Sequence, residues 1–138
     1  MILLADDDEQ TAGAWAAVLR MNGFEVVWTT DGGSALSLAR MARPDLLLTD
    51  WDMPVIDGPE LCRIFRSDPV LASVPIVLAS SLSLPPFGSS NLHNLFLQKP
   101  VDAVALLTAI TTLAVVVASA GEMTQVDPKP DEGSGDQQ

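Results

Sequence analysis

Short apolar runs recur along the chain, and most of them break off at an acidic or small polar residue. Ile2–Ala5 is the first, ending at Asp6-Asp7-Asp8. Glu25–Thr30 alternates in part and is rich in β-branched residues, Leu46–Thr49 is an apolar run, and Pro75–Ala79 and Leu95–Leu97 follow. Runs of this length and composition predict five strands. Between them the spacing changes. Gln10–Met21 predicts a helix, with Ala14, Val18 and Met21 at intervals of four and three and Asn22-Gly23 as its stop. Asp31-Gly32-Gly33-Ser34 opens a second helix, Ala35–Met41, closed by Arg43-Pro44. Pro59–Phe65 predicts a third, ending near Ser67-Asp68-Pro69, and Val101 starts a last helix after Lys99-Pro100.

Strands alternating with helices in this order predict a doubly wound, five-stranded parallel sheet covered on both faces. In such sheets ligands gather beyond the carboxyl ends of the strands. There the sequence places Asp6-Asp7 after the first strand, Asp50 after the third, Ser80 after the fourth and Lys99 after the fifth. Carboxylates gathered on one edge raise one another's pKa unless a cation lies among them. An oxygen-only ligand set suits a hard ion such as Mg²⁺, which keeps waters and phosphate oxygens in its shell. In that chemistry Asp50 is the nucleophile, forming an acyl phosphate, while Lys99 and Ser80 each hold a phosphoryl oxygen.

Taken singly, several of these residues have plainer readings. Asp8 directly precedes a helix and reads as its N-cap, and Asp57-Gly58-Pro59 is a second cap with Pro in the first turn. Lys99 alone would be a solvated lysine and Ser80 a strand end. Cys62 lies mid-helix and reads as core. His93 is a lone histidine in a loop without a kinase or phosphotransfer motif around it, and Trp51 reads as a partly exposed cover beside the site.

Composition narrows the function classes. With 138 residues, 48% of them apolar, the chain can bury one core. A net charge of −11 argues against nucleic acid as a direct partner. Residues 122–138 carry five acids against Lys129 and are expected to be a disordered acidic tail, leaving residues 1–121 as the folded domain. Cys62 is the single cysteine, so neither an internal disulfide nor a thiolate metal cage can form. MILLADDDEQ lacks a basic leader region, and a cytoplasmic protein is expected. Residues 103–121 are uncharged and near the length needed to span a bilayer, but threonines and a serine dilute them and no basic residue flanks them, so no membrane span is expected. Ala103–Ser119 is apolar nearly all round, with Val104, Leu107, Ile110, Leu113 and Val117 as a stripe and Leu106, Val115 and Val116 outside it. The surplus face predicts a partner, either another protein or a second copy in a homodimer.

The stretches ILLADDD, DLLLTDWDMPVIDG, VPIVLASS and LFLQKP, in this order and spacing, resemble the receiver domain of bacterial two-component response regulators. The likeness covers residues 1 to about 120 and implies the flavodoxin-like, CheY-like fold. It implies that Asp50 is phosphorylated, that Asp6, Asp7, Asp50 and the backbone carbonyl of Asp52 hold Mg²⁺, that Ser80 and Phe96 form the switch pair, and that the bond before Pro100 is cis. A histidine kinase or histidine phosphotransfer protein would be the phosphoryl donor. The chain would then be a stand-alone phosphoacceptor switch rather than an enzyme, assisting its own phosphorylation and slow dephosphorylation and signalling by protein contacts. Asp52 would project near the attacking water's path, and Ser81 stands where the family usually has Ala or Gly. One departure stands out. LSLPPFGSSNLHNL, between Ser81 and Phe96, holds two prolines, a glycine and three serines, so the fourth helix is expected to be shortened or lost, with Leu92–Leu95 as the one turn that could survive. That erosion supports a second reading, a degenerate receiver that acts as a phosphorylation-independent interaction module. A haloacid-dehalogenase-like phosphatase is disfavoured, because its aspartyl nucleophile would follow the first strand.

Overall fold

The computed structural model describes residues 1–81 and 92–113. The chain divides into two compact units, Met1–Leu107 and Thr108–Gln138; the sheet and its helices α1 to α3 belong to the first. In chain order the elements are β1 (Ile2–Ala5), α1 (Glu9–Met21), β2 (Val26–Thr29), α2 (Gly32–Met41), β3 (Leu46–Asp50), α3 (Gly58–Ser67), β4 (Ile76–Ser80) and β5 (Leu95–Gln98). Residues 103–113 are helical as well. The strands form one sheet in the order β2-β1-β3-β4-β5, every pair parallel. This is the doubly wound architecture that the alternation of apolar runs predicts.

Burial follows the sequence pattern. The three inner strands are covered on both faces: Leu3, Leu4, Leu47, Leu48, Ile76 and Leu78 are each at most 1% exposed. One continuous core joins Leu3, Leu47 and Ile76 to Ala35 and Leu36 of α2 and to Leu61 and Phe65 of α3. Helix α1 lies against β1 and β2, and its buried residues are Ala12, Trp15, Ala16 and Leu19. That is a different face from the one the spacing of Ala14, Val18 and Met21 suggests. Met21 is 83% exposed, because the larger pair Trp15 and Leu19, one turn apart, takes the inward position.

Each described helix opens at the edge where the strands end, and each opens on an aspartate. Asp8 accepts from the Gln10 N–H at 3.2 Å, Asp31 from Ser34 at 2.7 Å, Asp57 from Glu60 at 2.9 Å and Asp102 from Ala105 at 2.8 Å. These carboxylates satisfy first-turn N–H groups that have no partner inside the helix. At the opposite edge, Arg66 at the end of α3 ties three segments together. Its guanidinium donates to the carbonyls of Leu92, Ala72 and Val74 and to the side chain of Asn94, at 2.7 to 3.0 Å. Asn94 in turn accepts from the Ile76 N–H at 2.7 Å, so β4 and the approach to β5 share one polar clamp.

Three expectations about the second half of the chain meet the structure differently. The loss of the fourth helix and the acidic tail fall on residues 82–91 and 122–138, outside the described residues. Within 92–95 there is no helical turn, since Leu95 already opens β5. In the last helix the buried residues are Leu106, Ala109, Ile110 and Leu113, while Val104 is 74% exposed. Ile110 and Leu113 of the expected stripe are thus buried, but its first member Val104 is not, and Leu106, left outside the stripe, is at 0% exposure. Among the described residues no helix is long and apolar enough to cross a membrane.

Candidate functional site

Strand register brings the acidic residues together. Ala5 pairs with Thr49 and Asp50 with Ala79, so Asp6, one residue past β1, lies beside Asp50 at the carboxyl edge. Carboxylate oxygens of Asp6, Asp7 and Asp50 all lie within 4.8 Å of one another. Ser80 is buried at the end of β4, in register with Gln98, and its carbonyl accepts from the Lys99 N–H at 2.7 Å. That places the Lys99 side chain at the same edge. Its ammonium lies 3.0 Å from an Asp6 oxygen and 3.0 Å from an Asp50 oxygen, bridging the two.

Asp6 is held from several sides. It is 0% exposed. Its N–H donates to Thr29 at 3.1 Å, its carbonyl accepts from the Trp28 indole N–H at 2.8 Å, and one carboxylate oxygen accepts from the Asp8 N–H at 2.9 Å. The other carboxylate oxygen faces Lys99. Asp7 is exposed, as is Asp52 in the loop after β3. Asp8 and Asp57 cap helices α1 and α3. Phe96, half-buried on β5, has its ring 6.2 Å from that of His93. The Lys99-Pro100 bond is cis. Cys62 is buried in the core, and burial pushes its thiol pKa up to about 11.

The electrostatics suit a cation. Burial raises the Asp50 pKa above the ordinary carboxylate value and the charge of Asp6 adds to it, while the hydrogen bond and charge of Lys99 pull the other way. Burial also weighs against the Lys99 ammonium, yet its hydrogen bonds and charge interactions with Asp50 and Asp6 prevail and raise its pKa. Three carboxylates served by one ammonium leave a surplus of negative charge in a partly desolvated cleft. A divalent hard ion fits both that surplus and the all-oxygen donor set.

The loop from β3 to α3 is built by close approach. Trp51 donates its N–H to Ala79 at 2.8 Å and accepts from the Gly58 N–H at 2.8 Å, folding the loop back on itself. Gly58 opens α3 with its Cα against the Asp50 carbonyl; a side chain there would overlap that oxygen and stand 2.8 Å from Leu78 and 3.0 Å from Trp51. Thr49, fully buried, donates to the Asp50 carbonyl at 3.0 Å. Val55 adopts φ +73°, with a three-residue turn closed from Ile56 N–H to the Pro54 carbonyl at 2.9 Å. For a β-branched residue this is a strained conformation.

Comparison with known proteins now bears on this geometry. Residues 2–111 match the family model of the response regulator receiver domain. The chain belongs to that family. It is a receiver domain of two-component signalling, a class of module that binds Mg²⁺ in an acidic pocket and interacts with histidine kinases or phosphotransfer proteins. Among curated relatives, it is 40% identical over 58% of its length to the DNA-binding response regulator MtrA of Mycolicibacterium smegmatis, covering 34% of that protein. It is 34% identical over 81% of its length to the response regulator PleD of Caulobacter vibrioides, covering 25% of that protein. The chain thus spans about a third and a quarter of these relatives. Among solved structures, a response regulator from Chloroflexus aurantiacus aligns with TM-score 0.74 and 29% identity over 80% of this chain and 93% of that one. The receiver domain of the sensor histidine kinase PA1611 from Pseudomonas aeruginosa aligns with TM-score 0.73 and 29% identity over the same shares, and holds a magnesium ion in its active site cleft.

Two residues at the site carry no signal in the linear sequence. Trp28 reaches Asp6 from β2, and Trp15 on α1 has its ring centre 5.6 Å from the Lys99 ammonium. Both act across elements far apart in sequence, so no local motif announces them, whereas Thr49 and Gly58, which shape the backbone around Asp50, lie within the DLLLTDWDMPVIDG stretch.

Proposed function

We propose that the chain is a phosphorylation switch in which Asp50 takes a phosphoryl group from a phosphohistidine on a histidine kinase or phosphotransfer protein. A carboxylate oxygen of Asp50 attacks phosphorus, the P–N bond breaks, and the departing imidazole takes up a proton. Asp6, Asp7, Asp50 and the backbone carbonyl of Asp52 would hold Mg²⁺, which neutralises charge on the phosphoryl oxygens when bound. Lys99 sits where it can keep one contact to Asp6 or Asp50 while taking up a phosphoryl oxygen. Ser80 would donate to another and, with Phe96, carry the change outward to a protein partner. Hydrolysis returns the carboxylate, so the domain is a switch with a lifetime and not an enzyme acting on a separate substrate.

The observation that carries this reading is the convergence of Asp6, Asp7 and Asp50 within 4.8 Å, with Lys99 bridging two of them at 3.0 Å. A site eroded in a degenerate receiver would not keep all of these groups in reach of one another. Incubation with acetyl phosphate and Mg²⁺ tests it: a gain of one phosphoryl mass, removed by hydroxylamine, is expected, and it is abolished by Asp50→Asn or by EDTA. Equal labelling of Asp50→Asn would refute the assignment. In the described part of the last helix, Val104 is the one large apolar side chain exposed, so those residues offer a second copy little surface. Sedimentation with and without beryllofluoride tests the homodimer.

A further inference from the structure

Lys99 has to be available in one place, between two carboxylates, yet its four-carbon arm is flexible and carries about 2 kcal/mol of rotamer entropy. Beside it opens a cavity of about 450 Å³, lined by Thr11, Ala14, Trp15, Ser81, Pro100 and Val101 as well as by Lys99 itself. The arm therefore has space into which it could swing away from the carboxylates. Trp15 walls that space. It is 6% exposed, and its ring centre lies 5.6 Å from the Lys99 ammonium, within reach of a cation–π attraction. The carboxylates of Asp6 and Asp50 hold the same ammonium at 3.0 Å. The ammonium is thus bound by two anions and by the face of an aromatic ring.

We propose that Trp15 is a positioning residue for the phosphoryl transfer, holding the Lys99 ammonium at the site through the face of its indole ring. The inference rests on the reading that Asp50 accepts a phosphoryl group. The ring does not touch the reacting atoms. Without its face, the arm gains alternative rotamers in the cavity and the fraction of molecules with Lys99 ready for a phosphoryl oxygen falls. A contact of this kind corresponds to about a fivefold change in the ratio of held to released arm. Phenylalanine keeps an aromatic face and leucine keeps only apolar bulk, so the two substitutions separate attraction from packing.

The test compares the full chain with its Trp15→Leu and Trp15→Phe variants, measuring phosphorylation by acetyl phosphate at saturating Mg²⁺ by intact mass, and Mg²⁺ affinity by calorimetry. Trp15→Leu is expected to slow phosphorylation about fivefold with Mg²⁺ affinity changed less than about twofold, and Trp15→Phe to recover most of the rate. A rate unchanged in Trp15→Leu overturns the proposal, and so does a Trp15→Phe variant as slow as Trp15→Leu. A second readout needs no phosphorylation. The indole ring current should displace the Lys99 ε-methylene proton signals upfield in the unmodified chain, a displacement lost in Trp15→Leu. Absence of that displacement overturns the contact. If the unmodified chain takes up no phosphoryl group while the displacement is present, the phosphoacceptor reading fails and the contact stands.

Discussion

Two glycine-to-alanine substitutions make the same chemical change at two helices and should move stability in opposite directions. Gly58 opens α3 against the loop that leaves Asp50, and a Cβ built there overlaps the Asp50 carbonyl and stands 2.8 Å from a Leu78 methyl and 3.0 Å from the Trp51 Cα. Two of those three neighbours are backbone, pinned by the Trp51–Ala79 and Gly58–Trp51 hydrogen bonds, so the helix and the loop must separate to admit a methyl group. Overpacking of this kind costs about 1–3 kcal/mol, and the backbone contacts place Gly58→Ala at about 2–3 kcal/mol. At this chain size that lowers Tm by about 10 °C. Gly13, on the exposed face of α1, has open space where a Cβ would stand, with no neighbouring atom within 4 Å. There alanine only removes the entropic handicap of glycine, and Gly13→Ala should add about 0.5–1 kcal/mol. Urea unfolding followed by circular dichroism measures both. Because the displaced backbone carries Asp50, Gly58→Ala should also slow phosphorylation, whereas Gly13→Ala should leave it unchanged. A Gly58→Ala variant within about 0.5 kcal/mol of the unmodified chain would refute the close-packing argument, as would a destabilised Gly13→Ala.

Three more outcomes are expected. Arg66→Ala removes the donor to three carbonyls and to Asn94; with the part-buried Leu92 and Val74 carbonyls left short of a partner, urea unfolding should show a loss of about 3 kcal/mol. Val55→Asn replaces a β-branched residue at φ +73°, 83% exposed, with one that tolerates this conformation, so unfolding experiments should show a gain of about 1 kcal/mol. The Cys62 thiol, 1% exposed and with its pKa raised to about 11, should resist a thiol reagent at neutral pH and react fully in urea. Since the folded state holds that proton more tightly than the unfolded one, its contribution to stability is present below the ordinary value of 9.0 and is lost as pH rises through about 11.

The parts of this fold visible in the sequence are those governed by local patterns. The apolar runs at Ile2, Leu46 and Ile76 are strands because they are buried on both faces, and Asp8, Asp31 and Asp57 are caps because a carboxylate ahead of a helix meets free N–H groups. The site edge was legible for the same reason, since a parallel sheet aligns all its strand ends. What escaped depends on side-chain size and on partners far along the chain. The inward face of α1 is set by Trp15 and Leu19 rather than by the regular spacing of Ala14, Val18 and Met21. Leu106 rather than Val104 faces inward in the last helix, and a segment apolar on nearly every side gives periodicity nothing to select. The contacts of Trp15 with Lys99 and of Trp28 with Asp6 join elements that meet only in the folded chain.

The central claim is that Asp50, in a cleft with Asp6, Asp7 and Lys99, receives a phosphoryl group in a Mg²⁺-dependent reaction. It is tested most directly by tandem mass spectrometry of the chain after reaction with acetyl phosphate and Mg²⁺ and trapping of the acyl phosphate by borohydride reduction. Reduction converts a phosphorylated aspartate to homoserine, and the expected result is that conversion at Asp50 alone, absent when EDTA replaces Mg²⁺. Conversion at another aspartate, or none at Asp50 in a folded, Mg²⁺-loaded chain, would contradict it.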